Sequence, residues 1–175
     1  DGTRKDYGIE MTKEELDKFN KIVVVACGTA YHAGLVGQYI FEKLARIPVE
    51  IDVASEFRYR DPFIDDKTLF IAISQSGETA DTLEALKEAK AKGAHILSIC
   101  NVVGSSITRE SHQVFYTWAG PEISVASTKA YTTQLLCLYM VALYFANLKG
   151  TVTEEDYKDY VEQLKEIPAK MQDSF

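Results

Sequence analysis

Positive charge is in short supply in this chain: 19 lysines and arginines stand against 26 aspartates and glutamates, for a net charge of -7. That balance argues against a general affinity for DNA, RNA or anionic membranes, and it leaves small anions to a local site. Cysteine is sparse as well. Cys27, Cys100 and Cys137 lie far apart in apolar surroundings and match no zinc spacing, so they read as reduced thiols of a cytoplasmic protein. The longest apolar run, Leu135 to Ala146, is shorter than the about 20 residues that cross a bilayer, and is expected to be a buried or interface helix. Asp1 to Asn20 is polar and lacks the apolar region of a signal peptide. Neither a Gly-x-x-x-x-Gly-Lys-Ser/Thr loop nor a Gly-x-Gly-x-x-Gly turn occurs, which removes the usual cradles for nucleoside triphosphates and dinucleotides. No cofactor and no metal are expected. Low-complexity tracts and repeats of solenoid period are missing too.

What is present is an ordinary globular composition, 46% hydrophobic and 26% charged over 175 residues, enough for one domain that buries about 70% of its unfolded surface. Short continuous apolar runs alternate with helical periodicity. Ile22 to Ala26 and Leu69 to Ile73 read as strands buried in a sheet, and Val49 to Ala54, His95 to Cys100 and Val114 to Trp118 as further strands. Helices are expected over Met11 to Asn20, with Thr12 and Glu15 as a capping box, and over Tyr31 to Ala45. Others follow Ser55 through Arg60, Thr79 up to Gly93, Ser105 or Ser106 to Glu110, and Thr128 to about Leu148. A last helix runs from Thr153 to near Ile167 and stops before Pro168. Strand and helix repeated about five times predict an α/β fold, a doubly wound five-stranded parallel sheet flanked by helices. The division is an N-terminal segment, 1–20, with its short helix, a ligand-binding domain, 21–150, and a connector helix, 151–175.

The most informative stretch joins the third strand to its helix: Ser74-Gln75-Ser76-Gly77-Glu78-Thr79. It offers three hydroxyls, an amide and a glycine at the positive end of a helix, without a lysine or arginine. Neutral donors of that kind suit a phosphate monoester with sugar hydroxyls beside it. Simple helix capping by Ser, Gly and Thr is the plainer reading. A flavodoxin-like strand order, 2-1-3-4-5, would bring this turn beside Cys27-Gly28-Thr29-Ala30 at the point where the sheet reverses its winding, where such folds bind ligands. That order favours a site over a cap.

At this point the chain resembles a known family. Ser74 to Thr79, Cys-Gly-Thr at 27 to 29, Ala-Ser-Glu-Phe-Arg-Tyr-Arg at 54 to 60, Ile-Cys-Asn-Val at 99 to 102 and Val-Ala-Ser-Thr-Lys-Ala at 125 to 130 are similar to the first sugar isomerase (SIS) domain of the glutamine:fructose-6-phosphate aminotransferases, over about Lys21 to Leu148. The resemblance implies that Ser74, Ser76, Thr79 and Thr29 hold the phosphate of fructose 6-phosphate or glucosamine 6-phosphate. It implies that Gln75 and Ser127 contact phosphate or sugar hydroxyls. Ala30 stands where the family often has serine, which removes one hydroxyl contact.

The same resemblance implies partners: a glutaminase domain, a second SIS domain carrying the catalytic lysine and acid-base groups, and a second copy of the chain in a homodimer. On that reading the chain is a module that binds the sugar phosphate without completing the reaction. Glu78, His32 and Lys129 are candidates for chemistry by position, but each has a plainer role as an ion-paired carboxylate, a packing ring and an exposed lysine. Trp118, Tyr131, Tyr139 and Tyr144 read as packing residues. Two alternatives stay open, a sugar-phosphate sensor without chemistry and a small dimeric phosphosugar isomerase.

Overall fold

The fold rests on a sheet whose three central strands are buried on both faces, so helices must cover both. A computed structural model describes residues 8–124 and 126–174; the expected ragged end at 1–7 lies outside the described residues. The strands are β1 (Lys21–Ala26), β2 (Val49–Val53), β3 (Thr68–Ser74), β4 (His95–Cys100) and β5 (Gln113–Tyr116). All pair in parallel, in the order β2-β1-β3-β4-β5. β3, at the centre, is buried at every position.

Alternation along the strands divides the core in two. Ile22, Val24, Ala26, Leu69, Ile71 and Ile73 face one side, under helices α1 (Lys13–Leu16), α2 (Gly28–Ile40) and, later in the chain, the long helix Lys129–Lys149. Val23, Val25, Phe70 and Ala72 face the other, under α3 (Ala54–Phe57), α4 (Ala80–Ala91) and α5 (Ser106–Glu110). The long helix is α6, and α7 (Glu154–Gln172) packs on it. α2 lies so close to the sheet at Gly34 that a Cβ there would sit 2.5 Å from Ile51 Cδ1. α6 is long and apolar enough to cross a membrane by composition, yet Leu138, Val141, Ala142, Phe145 and Ala146 are buried in the core against α2.

Several boundaries differ from the sequence expectation. α2 begins at Gly28, not Tyr31, so Thr29 sits in its first turn. Its end is a π-helical turn, Phe41–Ala45, that buries Phe41, Leu44 and Ala45 before Arg46 (φ 55°) turns the chain. α7 runs through Pro168. The proline removes one backbone donor, but no residue of α7 is buried, so water can take the carbonyl left over. Trp118 is not a core residue: it leaves the strand with φ 51° and is 54% exposed, tilted against Tyr116. Tyr144 does pack, and it pins the N-terminal segment: its hydroxyl donates to Met11 O at 2.6 Å and accepts from Met11 N at 3.3 Å.

At the opposite end of the sheet from the strand C-termini, His95 and His112 stack with ring centroids 4.8 Å apart. Burial lowers the pKa of both, helped by the neighbouring ring at His95 and by Lys90 at His112. His112 Nδ1 accepts from Ile96 N at 2.8 Å, a bond that protonation would break. Because the folded values lie below the ordinary 6.5, the unfolded chain takes up protons first. This contribution to stability is fully present above pH 6.5 and is lost as the pH falls below it. The urea midpoint should therefore drop between pH 7.5 and pH 5.5, and a flat midpoint over that window would contradict the linkage.

Candidate functional site

β1 and β3 are neighbours in register, Ala26 beside Ile73, so the turns that follow them open on the same rim of the sheet. One cavity of about 210 Å³ lies there, lined by Thr29, Ser74, Gln75, Ser76, Thr79 and Ser127 together with Cys27, Ala30, Ile73, Glu122, Ser124 and Gln134. All six residues singled out by sequence meet around it. They come from the first turn of α2, the β3–α4 turn and the approach to α6. The volume is below the about 300 to 1,000 Å³ usual for drug-sized ligands, which suits a small polar one.

The β3–α4 turn is built to present donors. Ser74, 3% exposed, accepts from Gly77 N at 3.0 Å and lies 3.2 Å from Thr79 Oγ1. Ser76 Oγ accepts from Glu78 N at 3.2 Å. Ser76, which accepts a backbone N–H, keeps its own proton to donate, while one proton bridges Ser74 and Thr79 and leaves the other of that pair for a ligand. The turn's carbonyls point elsewhere, Gln75 O taking Asn101 N at 3.2 Å and Gly77 O taking Ile107 N at 3.0 Å. Gly77 adopts φ 67° with Ser105 packed directly against it.

Helix capping alone does not account for these hydroxyls. Thr79 occupies the N-cap position of α4 but makes no side-chain capping bond, and the first intrahelical bond is Leu83 N to Thr79 O, 2.9 Å. The first-turn amides of α4 ahead of Leu83 have no intrahelical partner. α2 likewise starts at Cys27 without a side-chain cap. Two helix N-termini thus bring partial positive charge to a cavity whose lining, among the described residues, contains no lysine or arginine.

Among the described residues the lining holds one carboxylate, which sequence reasoning missed. Glu122 caps α6 from a distance: its Oε2 accepts from Thr128 N at 3.2 Å and Ala130 N at 3.1 Å. Those backbone bonds, Ala130 first, hold its pKa below the ordinary carboxylate value, so it stays charged. Gln134 was missed too. It is 2% exposed, on the inner side of α6, and its Oε1 has no hydrogen-bond partner among the described residues. A lone glutamine inside the apolar Ala130–Ala146 stretch was the available signal.

The chemical candidates take structural roles. Glu78 Oε1 accepts from Ser106 N at 2.8 Å, capping α5, and hydrogen bonding from Ser106, its side chain first and its backbone second, lowers the Glu78 pKa, which makes it a poor base. His32 is exposed beside the Tyr31 ring and does not line the cavity. Lys129 is exposed in the first turn of α6. Cys137, on the buried face of α6, has its thiol pushed up to about 12 by burial and stays protonated.

Comparisons with known proteins bear on the family and the fold. The family model described as "SIS domain" matches residues 15–144. The chain is 64% identical, over 93% of its length, to the glutamine–fructose-6-phosphate aminotransferase [isomerizing] of Clostridium tetani, and 62% identical over 94% to that of Caldanaerobacter subterraneus. It spans about 27% of the length of each of these relatives. Among solved structures, the C-terminal domain of glucosamine-fructose-6-phosphate aminotransferase from Francisella tularensis superimposes with a TM-score of 0.86 at 49% identity, covering 90% of this chain and 45% of that one.

Proposed function

The chain belongs to the SIS domain family, and from that premise we propose that the β1/β3 cavity holds the phosphate of fructose 6-phosphate or glucosamine 6-phosphate. One observation carries the reading: hydroxyls and an amide from three separate stretches line a single cavity at two uncapped helix N-termini. In this reading Ser74, Ser76, Thr79 and Thr29 bind the phosphoryl oxygens. Gln75 and Ser127 reach the phosphate or the sugar hydroxyls. The loop geometry supports it, since each serine hydroxyl is oriented by a backbone amide. Charge also supports it, because helix dipoles offset a phosphate where, among the described residues, no cationic side chain lines the wall.

The relatives' name supports placing the chain as the sugar-phosphate-binding part of an isomerizing glutamine–fructose-6-phosphate aminotransferase, acting with a glutaminase domain and a second SIS domain in the cytoplasm. Residues 21–150 form the binding unit and 151–175 the connector. Ketose-to-aldose conversion needs a base within about 3 Å of the proton on the carbon beside the carbonyl. Among the described residues of the lining, the one carboxylate is engaged on α6. The chain therefore binds without turnover. Calorimetric titration should show fructose 6-phosphate binding and free fructose not binding, with no glucose 6-phosphate formed on incubation. Turnover would favour the small-isomerase alternative, and no binding would reject the site.

A homodimer belongs to the same proposal. Leu136, Tyr139 and Met140 on α6 are 36%, 39% and 44% exposed, and they border a cavity of about 520 Å³ and another of about 550 Å³ where α7 covers α6 only loosely. A second copy would bury that surface. Sedimentation at micromolar concentration should give the dimer mass; a monomer would count against it.

A further inference from the structure

We propose that Gln134 is a specificity residue that reads the hydroxylated half of the ligand while the β3–α4 turn holds its phosphate, an inference that rests on the sugar-phosphate reading above. A buried acceptor without a partner costs stability unless something in the cavity satisfies it. Gln134 Oε1 is such an acceptor: the side chain is 2% exposed, lines the cavity, and has no hydrogen bond to Oε1 among the described residues. A dianionic phosphate has no proton to offer it. A sugar hydroxyl does, and because a hydroxyl both donates and accepts, it satisfies the amide in either orientation.

Glu122 assigns the two ends of the cavity. Its carboxylate stays ionised and repels a phosphate, which leaves the phosphate to the Ser74–Thr79 turn. The wall carrying Glu122 and Gln134, on α6 and the segment before it, then faces uncharged hydroxyls. The charged anchor therefore supplies affinity for any phosphate monoester, and the buried amide supplies preference for one with hydroxyls beyond it.

The test compares two probes, inorganic phosphate and fructose 6-phosphate, titrated by NMR into the wild-type chain and Gln134→Met. Methionine has a similar shape and needs no hydrogen bond, so the melting temperature should hold or rise. Fructose 6-phosphate affinity should fall about tenfold while phosphate affinity stays unchanged. Unchanged fructose 6-phosphate affinity, or an equal loss for both probes, would overturn the role of Gln134 and leave the site itself standing. A wild-type chain that binds neither probe would overturn the sugar-phosphate reading and this inference with it. Gln134→Leu carries the same expectations should Gln134→Met not fold.

Discussion

Gly77→Ala should lower the unfolding free energy by about 2 to 5 kcal/mol and abolish sugar-phosphate binding. Two costs add. Gly77 holds φ 67°, a conformation that charges an alanine about 1 to 2 kcal/mol for the contact of its Cβ with the backbone. The new methyl would also sit 2.0 Å from Ser105 Oγ, 2.6 Å from Ser105 Cβ and 2.8 Å from Cys100 Sγ. Ser105 is 3% exposed and Cys100 fully buried, so neither can swing aside, and overpacking of this kind costs about 1 to 3 kcal/mol. Binding suffers through geometry. Gly77 N donates to Ser74 Oγ and Gly77 O receives Ile107 N, so moving this residue moves the hydroxyls on either side. Urea denaturation measures the first effect and calorimetry the second. A variant with wild-type stability would mean the turn is not held as described.

Ser76→Ala should leave the fold nearly intact and weaken fructose 6-phosphate binding about ten- to hundredfold. Ser76 is half-buried and its hydroxyl already accepts from Glu78 N at 3.2 Å, which leaves its proton for a charged acceptor. Losing a hydrogen bond to a charged group costs about 1.5 to 3 kcal/mol, which converts to that range of affinity. The contrast with Gly77→Ala is informative: one variant should lose stability and binding together, the other binding alone. Unchanged affinity by calorimetric titration would remove Ser76 from the contact.

The sheet was legible because its signals are local. β3 is a seven-residue strand buried throughout, and its short continuous apolar run suits a strand covered on both faces. The helices that follow β1 and β3 carry their own periodicity, which made the parallel β/α alternation legible, whereas the 2-1-3-4-5 order was an assumption about the fold that the strands bear out. Boundaries that depend on tertiary contacts were not legible. The π-helical turn at Phe41–Ala45 fits two aromatic and aliphatic side chains into a pocket made by α6, Phe41 lying 5.9 Å from Phe145. Proline at 168 is a helix breaker by rule, and only the solvent exposure of α7 makes it tolerable.

The same division holds at the cavity. Ser74, Gln75, Ser76 and Thr79 form one hydroxyl-rich turn, a pattern visible within six residues, and Thr29 and Ser127 were tied to it by motif resemblance. Glu122 caps a helix that starts seven residues later, and its carboxylate gains meaning only once Thr128 and Ala130 present their amides. Gln134 reads as one polar residue on an apolar helix until the sheet buries it. Its missing partner is a property of the folded chain alone.

In the proposed site, uncharged donors at helix N-termini hold a phosphate without a basic side chain. A crystal structure of the chain with fructose 6-phosphate is the decisive measurement. Phosphoryl oxygens should lie within about 3 Å of the Ser74, Ser76 and Thr79 hydroxyls, with the sugar extending toward Ser127 and Gln134. A phosphate bound on lysine or arginine elsewhere on the surface, with the β3–α4 turn left to solvent, would contradict it.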